Sequence, residues 1–293
     1  MMRSRAFAMA CAVLTLSAPA FAQGKSQAHK NGSPPSRNAL PAPAVASPVG
    51  GVTPFAWVDD ASLIEPGTVW LAMSVVRWQG SDASEVDVPV VDAAVGLTPR
   101  VQLAATVSRA MAGTDPSGAP GGVGTSYFSA KIAALNSATP LMKLSVAPTL
   151  EVLGSGVLQA PDECRAHFGI PVSVEVDRGA ARVYASAGYF SRGVWFTGLG
   201  VGAQASDRVF VSIGYSRSWR TTDALDVPIA DRARNEVTGS VSYALTSNVG
   251  VFGSIATTLA TLDENGAGTT VGAGMSFSFR PAVQPESGRK RRN

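Results

Sequence analysis

Apolar and polar residues alternate one by one along much of the chain. In the stretch VDAAVGLTPRVQLAATVS, residues 91–108, the apolar positions are Val91, Ala93, Val95 and Leu97, and then Val101, Leu103, Ala105 and Val107. A period of two predicts extended strands whose two faces differ in polarity. The intervening Thr98-Pro99-Arg100 favours a tight turn, because proline fixes φ near the value that turns need. This stretch therefore predicts a β-hairpin.

The same pattern recurs in about twelve segments of about ten residues, the length that a tilted strand needs to cross a bilayer. The segments are 68–78, 88–97, 101–111, 125–135, 141–153, 168–177, 181–191, 194–204, 209–218, 236–245, 249–259 and 270–279. Short connections such as LTPR and DRGA alternate with mostly longer ones such as RTTDALDVPIADRARN. Alternating turns and loops are typical of outer-membrane barrels, and a soluble sandwich gives no reason for them.

The alternation by itself leaves two arrangements open, with the apolar face either inside or outside a closed sheet. A ring of about twelve strands encloses more space than Ser, Gly and Ala side chains fill, so a dry core of these residues would contain voids. We therefore expect polar side chains inside and apolar side chains against lipid. The predicted fold class is all-β, a transmembrane up-and-down antiparallel β-barrel of about twelve strands.

The two ends of the chain differ from this pattern. Residues 1–22 begin with Arg3 and Arg5, continue with a short apolar stretch and end in Ala20-Phe21-Ala22, which predicts a cleavable signal peptide. Residues 23–52 are rich in Pro, Ala and Ser and predict a disordered periplasmic linker. The barrel is predicted over 53–279, and a basic tail over 280–293.

Composition supports a membrane protein and argues against other classes. The chain is 45% hydrophobic and only 15% charged, against roughly 25% charged in an average soluble domain. After the signal peptide it contains no apolar run near the ~18 residues that a helical span needs. The net charge is only +3, and we interpret the basic tail as a solvated end rather than a nucleic-acid site. Cys164 stays alone after signal cleavage and has no partner for an internal disulfide.

Three stretches carry a family resemblance. They are the acidic lead-in with Asp59, Asp60, Pro66 and Gly67, the "G-L-T-x-R" turn with Gly96, Leu97, Thr98 and Arg100, and a Gly-rich approach to a strand with Gly121, Gly122, Gly124 and Lys131. In these stretches the chain resembles outer-membrane barrels of the meta-pathway phenol-degradation type. The sequence departs from that family at Gln102 and Leu103, where an acidic residue often follows the turn. The resemblance implies a membrane channel or uptake role, with hydrophobic or aromatic compounds as solutes.

Alternation places a few charged side chains on the inner face. The candidates for lining the lumen are Lys131, Lys143, Glu151, Glu175 and Arg182. Folding successive strands about their turns brings Lys143, Glu175 and Arg182 to one level, close enough for ionic contact. A structural ion pair, solvated lumen charges and a selectivity filter are alternative interpretations, and because the signs largely cancel we expect weak ion selectivity.

Catalytic and metal-binding interpretations are less well supported by the sequence. The two histidines are His29 in the linker and His167, which we place in a loop beside Cys164. A Cys–His pair could supply a nucleophile and a base, but the two residues lie three positions apart on a predicted flexible loop, without a third group placed to orient them. Asp162 and Glu163 near His167 are better explained by loop solvation than by a metal site. We expect no enzymatic activity and no cofactor.

Two classes of function remain. The first is an outer-membrane channel or transporter that passes small molecules through a polar lumen, and the second is a barrel that serves as a surface scaffold or anchor without transport. The expected location is the bacterial outer membrane with both termini in the periplasm, because the strand number is even. The expected partners are outer-membrane lipid, small-molecule solutes and the barrel-assembly machinery. The sequence leaves the oligomeric state open.

Overall fold

A computed structural model describes residues 58–80, 84–111, 121–136, 142–157, 164–220, 233–261 and 268–280. Regular secondary structure in these ranges consists of β-strands. Within the same ranges, no helix is long and apolar enough to cross a membrane. The predicted signal peptide, the linker and the tail after Arg280 lie outside the described residues.

Fourteen strand segments follow one another along the described chain. They are β1 (Val69–Gly80), β2 (Ser84–Thr98), β3 (Val101–Met111), β4 (Gly122–Asn136), β5 (Lys143–Val146), β6 (Thr149–Leu153), β7 (Ala166–Gly169), β8 (Val172–Asp177), β9 (Ala181–Phe190), β10 (Val194–Ser206), β11 (Val209–Arg220), β12 (Ala233–Ala244), β13 (Val249–Thr261) and β14 (Gly268–Phe279). Segments β5 and β6 are two halves of one interrupted strand, and so are β7 and β8. The segments therefore form twelve strands, which confirms the predicted number.

The strands close into a single antiparallel barrel. Strands that are neighbours in sequence pair with one another, and the last strand returns to the first, with Val69 opposite Phe279 and Gly80 opposite Gly268. The hairpin predicted at 91–108 is also present, as β2 and β3. Closure pairs the edges that an open sheet would expose. The predicted fold class is confirmed.

The two faces of the barrel differ in the predicted sense. Exposed apolar side chains on the outer face include Val107, Val183, Ile213, Val241, Ile255 and Val271. Buried polar side chains on the inner face include Asp92, Gln102, Ser108, Ser186, Ser216 and Glu236. A soluble protein would reverse this pattern, whereas a barrel in lipid requires it.

Two interruptions that the alternation did not predict lie side by side in the barrel wall. One falls at Ala147-Pro148, between β5 and β6, and the other at Ile170-Pro171, between β7 and β8. Proline has no N–H to donate to the ladder, so regular pairing stops at each one. The Ala147 N–H still donates to the Pro171 carbonyl oxygen at 2.8 Å, and this bond keeps the two strands together across the interruptions.

Several strands also begin earlier than predicted. Strand β2 starts at Ser84 rather than 88, β4 at Gly122 rather than 125, and β12 at Ala233 rather than 236. These added residues include Glu85 and Arg234, which break the apolar pattern. The hydrogen-bonded pairing of the strands therefore extends past their alternating apolar part, into residues whose polarity does not predict a strand.

Candidate functional site in the barrel lumen

Residues 58–68, which precede β1, run through the interior of the barrel, and we call them the luminal segment. The Ile64 N–H donates to Gln102 Oε1 of β3 at 2.7 Å, and the Asp59 N–H donates to Ser186 Oγ of β9 at 3.4 Å. Gln102 and Ser186 both point inward, and β3 and β9 are separated in the ring by other strands. The luminal segment reaches both strands because it lies inside the barrel.

The luminal segment lies closest to the barrel wall at Gly96, the glycine of the "G-L-T-x-R" turn. The Gly67 N–H donates to the Gly96 carbonyl oxygen at 2.8 Å, and the Gly96 N–H donates to the Thr68 carbonyl oxygen at 3.0 Å. A Cβ at position 96 would overlap the backbone carbonyl oxygens of Ile64 and Glu65. Glycine is therefore required here so that the segment can lie against β2.

This close contact predicts the effect of Gly96→Ala. The added methyl group must displace the backbone of Ile64 and Glu65, so we expect faster hydrogen–deuterium exchange in peptides that span residues 60–67. Gly239→Ala is the matched control, because a Cβ there meets nothing nearer than Ile255 Cγ2 at 3.9 Å. Equal exchange in the two variants would show that the contact at Gly96 does not hold the segment.

Two cations of the wall hold the acidic part of the luminal segment. Lys131 Nζ of β4 lies 2.8 Å from Asp59 Oδ2 and 3.6 Å from Asp60 Oδ1. Arg182 Nη1 of β9 lies 2.9 Å from Asp60 Oδ2. Lys131 Nζ also donates to the backbone carbonyl oxygens of Asp60 at 2.8 Å and of Ser62 at 3.4 Å. The Asp60 carboxylate thus bridges two strands of the wall.

A second group of charges lies next to this bridge. Lys143 Nζ of β5 is 3.1 Å from Glu175 Oε1 of β8 and 3.7 Å from Asp177 Oδ2. Ser62 Oγ of the luminal segment donates to Glu175 Oε2 at 2.7 Å and accepts from Lys143 Nζ at 2.8 Å. Glu175 is buried, and both of its carboxylate oxygens take part in these contacts. The charge of Lys143 is compensated within the wall, since Lys143 meets two wall carboxylates.

Glu151 belongs to a separate cluster on β6. Tyr127 Oη donates to Glu151 Oε1 at 3.1 Å, and Arg192 Nε lies 3.3 Å from Glu151 Oε2. His167 of β7 is the residue opposite Glu151 in the strand register, and both side chains are buried. Buried charges of opposite sign in such a cluster are costly to separate, so the cluster fixes β4, β6 and the β9–β10 turn together.

The lumen also contains aromatic side chains, which the sequence interpretation did not assign to it. Trp70, Ala72 and Ala94 form one buried cluster, against which Ile64 of the luminal segment and Phe252 pack. A second buried cluster consists of Phe190, Val194 and Phe196. The interior therefore contains a peptide segment and aromatic rings in addition to small polar side chains.

The inward-facing glycines of β10 make room for two further rings. A Cβ on Gly200 would overlap the ring of Tyr184, and one on Gly202 would overlap the ring of Phe210. Arg182 Cζ lies 4.6 Å from the centroid of the Phe210 ring and 5.7 Å from that of the Tyr184 ring. Both distances are within the range of cation–π contacts, so the rings help to position the guanidinium group.

The structure brings together four of the five residues proposed from the sequence. Lys131, Lys143, Glu175 and Arg182 are linked through the luminal segment, while Glu151 lies in its own cluster. The sequence interpretation missed the luminal position of three segment residues: Asp59, Asp60 and Ser62. The available signal was the acidic pair itself, which stands directly before the first strand in an otherwise weakly charged chain.

The placement of His167 in a loop is wrong. It lies in β7, and its side chain points inward, whereas Cys164 is exposed outside the strand. The error arose because the strand was predicted to begin at residue 168, whereas β7 begins two residues earlier, at Ala166. Three residues from the catalytic and metal-site alternatives, His29, Asp162 and Glu163, lie outside the described residues.

Comparisons with known proteins support the fold. No protein-family model matches the sequence, and no curated protein matches it significantly. Among solved structures, the NanC porin is 10% identical, with a TM-score of 0.53 over 71% of this chain and 98% of that chain. An outer membrane channel from Pseudomonas putida F1 is 14% identical, with a TM-score of 0.55 over 75% of this chain and 98% of that chain. The chain has the fold of outer-membrane β-barrels, while its resemblance to the meta-pathway phenol-degradation family stays a prediction.

Proposed function

We propose that this protein is an outer-membrane channel that passes small molecules through its lumen. The observation that carries the proposal is the closed barrel with apolar side chains outside and buried polar and charged side chains inside. Such a wall provides hydrogen-bonding groups for water and solutes along the barrel axis. We expect both termini to lie in the periplasm, since the chain forms twelve strands.

The family resemblance suggests hydrophobic or aromatic solutes, and the lumen is compatible with them. Trp70, Tyr184, Phe190, Phe196 and Phe210 are buried on the inner face. Aromatic rings in the wall give apolar solutes favourable contacts that a wall of serine and glycine would lack. Outer-membrane lipid, the barrel-assembly machinery and these solutes are the proposed partners.

The second candidate is a barrel that serves as a surface scaffold or anchor without transport. The luminal segment favours it, because a peptide held by ion pairs occupies part of the interior. The current through purified protein in planar lipid bilayers separates the two candidates. Discrete single-channel currents are expected for the channel, and a stable, heat-modifiable barrel without current would support the scaffold.

Glu175→Gln tests whether the luminal charges influence permeation. The change removes one carboxylate beside Lys143 and keeps the size of the side chain, so we expect the reversal potential in a KCl gradient to shift toward anion preference. Glu65→Gln is the control, because the exposed Glu65 side chain pairs with Arg280 near the strand ends. Identical reversal potentials in the two variants would show that the Glu175 charge acts only in the wall.

A further inference from the structure

The contacts of the luminal segment with Lys131 and Arg182 have the geometry of a bound carboxylate ligand. One Asp60 oxygen faces Lys131 Nζ at 3.6 Å, and the other faces Arg182 Nη1 at 2.9 Å. All three side chains are largely buried: that of Lys131 is 8% exposed, that of Arg182 15% and that of Asp60 10%. The Asp59 carboxylate adds a contact of 2.8 Å to Lys131.

We propose that Lys131 and Arg182 form a carboxylate-binding site in the lumen wall, which the luminal segment occupies through Asp59 and Asp60. Small-molecule carboxylates with an apolar body compete with the segment for this site. Charge-assisted hydrogen bonds from an ammonium and a guanidinium group are the contacts that carboxylates prefer in proteins. This inference rests on the proposed channel function, since it is the channel that brings such solutes into the lumen.

Lys131 differs from Lys143 in the origin of the carboxylates that compensate its charge. Lys143 meets Glu175 and Asp177, which both belong to the wall. In the described part of the chain, both carboxylates that contact Lys131 belong to the luminal segment. Burying a cation costs free energy unless an anion compensates it, so withdrawal of the segment leaves this part of the wall attractive to another anion.

The surroundings of Arg182 indicate which carboxylates fit. The rings of Phe210 and Tyr184 lie beside its guanidinium group, at 4.6 and 5.7 Å from Cζ. They limit the orientation of the guanidinium group and line the site with apolar surface. A carboxylate attached to a ring therefore matches both features, with its charge on Lys131 and Arg182 and its ring against the aromatic wall.

The test uses benzoate as the probe and the full chain carrying Asp59→Asn and Asp60→Asn. This double variant keeps the segment at its full length and removes only the two carboxylates that contact Lys131 and Arg182. By titration calorimetry in detergent, we expect it to bind benzoate about tenfold more tightly than the unchanged protein, the factor that corresponds to one charge-assisted contact. We expect no comparable gain for benzamide, which has the same ring without the charge.

The matched control is Asp87→Asn with Asp92→Asn. Both residues belong to β2, Asp92 accepts a hydrogen bond from Thr106 Oγ1, and the formal charge changes by the same amount as in the test variant. Equal benzoate affinity in the two double variants would overturn the proposal, since a general gain of positive charge would explain it. Equal affinity for benzoate and benzamide would also overturn it.

A second variant protects the test against a folding failure. Deletion of residues 58–63 removes the part of the luminal segment that carries Asp59 and Asp60, so the same gain in benzoate affinity is expected. Failure of both folded variants to bind benzoate more tightly than the unchanged protein would contradict the proposed site. Calorimetry needs no ion current, so an absence of current in bilayers would count against the channel alone.

Discussion

Replacing Val241 by arginine is expected to destabilise the folded barrel by about 2–4 kcal/mol, the cost of an arginine on the lipid face near the bilayer midplane. Val241 is 48% exposed on the outer face and lies opposite Val211 of β11, in the middle of the strand pairing. Lipid cannot solvate the guanidinium group there. The free energy of unfolding, measured by urea titration in lipid vesicles, provides the test.

Ser240→Arg is the control for this prediction. Ser240 is the preceding residue on the same strand, and its Oγ lies 2.7 Å from Ser212 Oγ on the inner face. The residues opposite it on the neighbouring strands are also serines, Ser212 and Ser254, so an arginine there meets small polar side chains. We expect a clearly smaller loss of stability than at Val241. An equal loss at both positions would show that the two faces are assigned the wrong way round.

Deleting residues 58–63 is expected to raise the single-channel conductance several-fold. These residues occupy the interior and contact Lys131, Lys143 and Arg182, so their removal widens the lumen without changing the strand pairing. Gly67 and Thr68 are retained and keep their hydrogen bonds to Gly96. The measurement is the current amplitude of the purified variant in planar lipid bilayers.

The control deletion removes six residues further upstream, 33–38, from the predicted linker. It shortens the chain before the barrel by the same amount and leaves the luminal segment intact. We expect its conductance to equal that of the unchanged protein. If both deletions give the same current, the luminal segment does not narrow the conducting path.

The strands and the orientation of their faces could be predicted because a barrel in lipid imposes a strict period of two. In β9, Val183 and Tyr189 face outward while Arg182 and Ser186 face inward, as the alternation requires. The closeness of Lys143 and Glu175 followed from the same rule together with the antiparallel pairing of successive strands. Register and face are local properties, and the sequence carries them directly.

The contents of the lumen could not be predicted in this way. The luminal segment has no periodic pattern, and its position depends on contacts with residues such as Gln102, Lys131 and Ser186, which are far away in sequence. The requirement for glycine at position 96 becomes evident only when the segment lies against β2. The interruptions at Pro148 and Pro171 were hidden because the alternation continues on both sides of each proline.

In the proposed channel, ions and solutes pass through the interior of the barrel, past the inner face of the strands. Single cysteines introduced as Ser240→Cys and Val241→Cys, each in a Cys164→Ser background, test it most directly. A charged thiol reagent is added to the open channel in a planar bilayer while the current is recorded. We predict a stepwise loss of current for Ser240→Cys and an unchanged current for Val241→Cys. An unchanged current for Ser240→Cys after complete modification, or a loss only for Val241→Cys, would contradict conduction through the barrel interior.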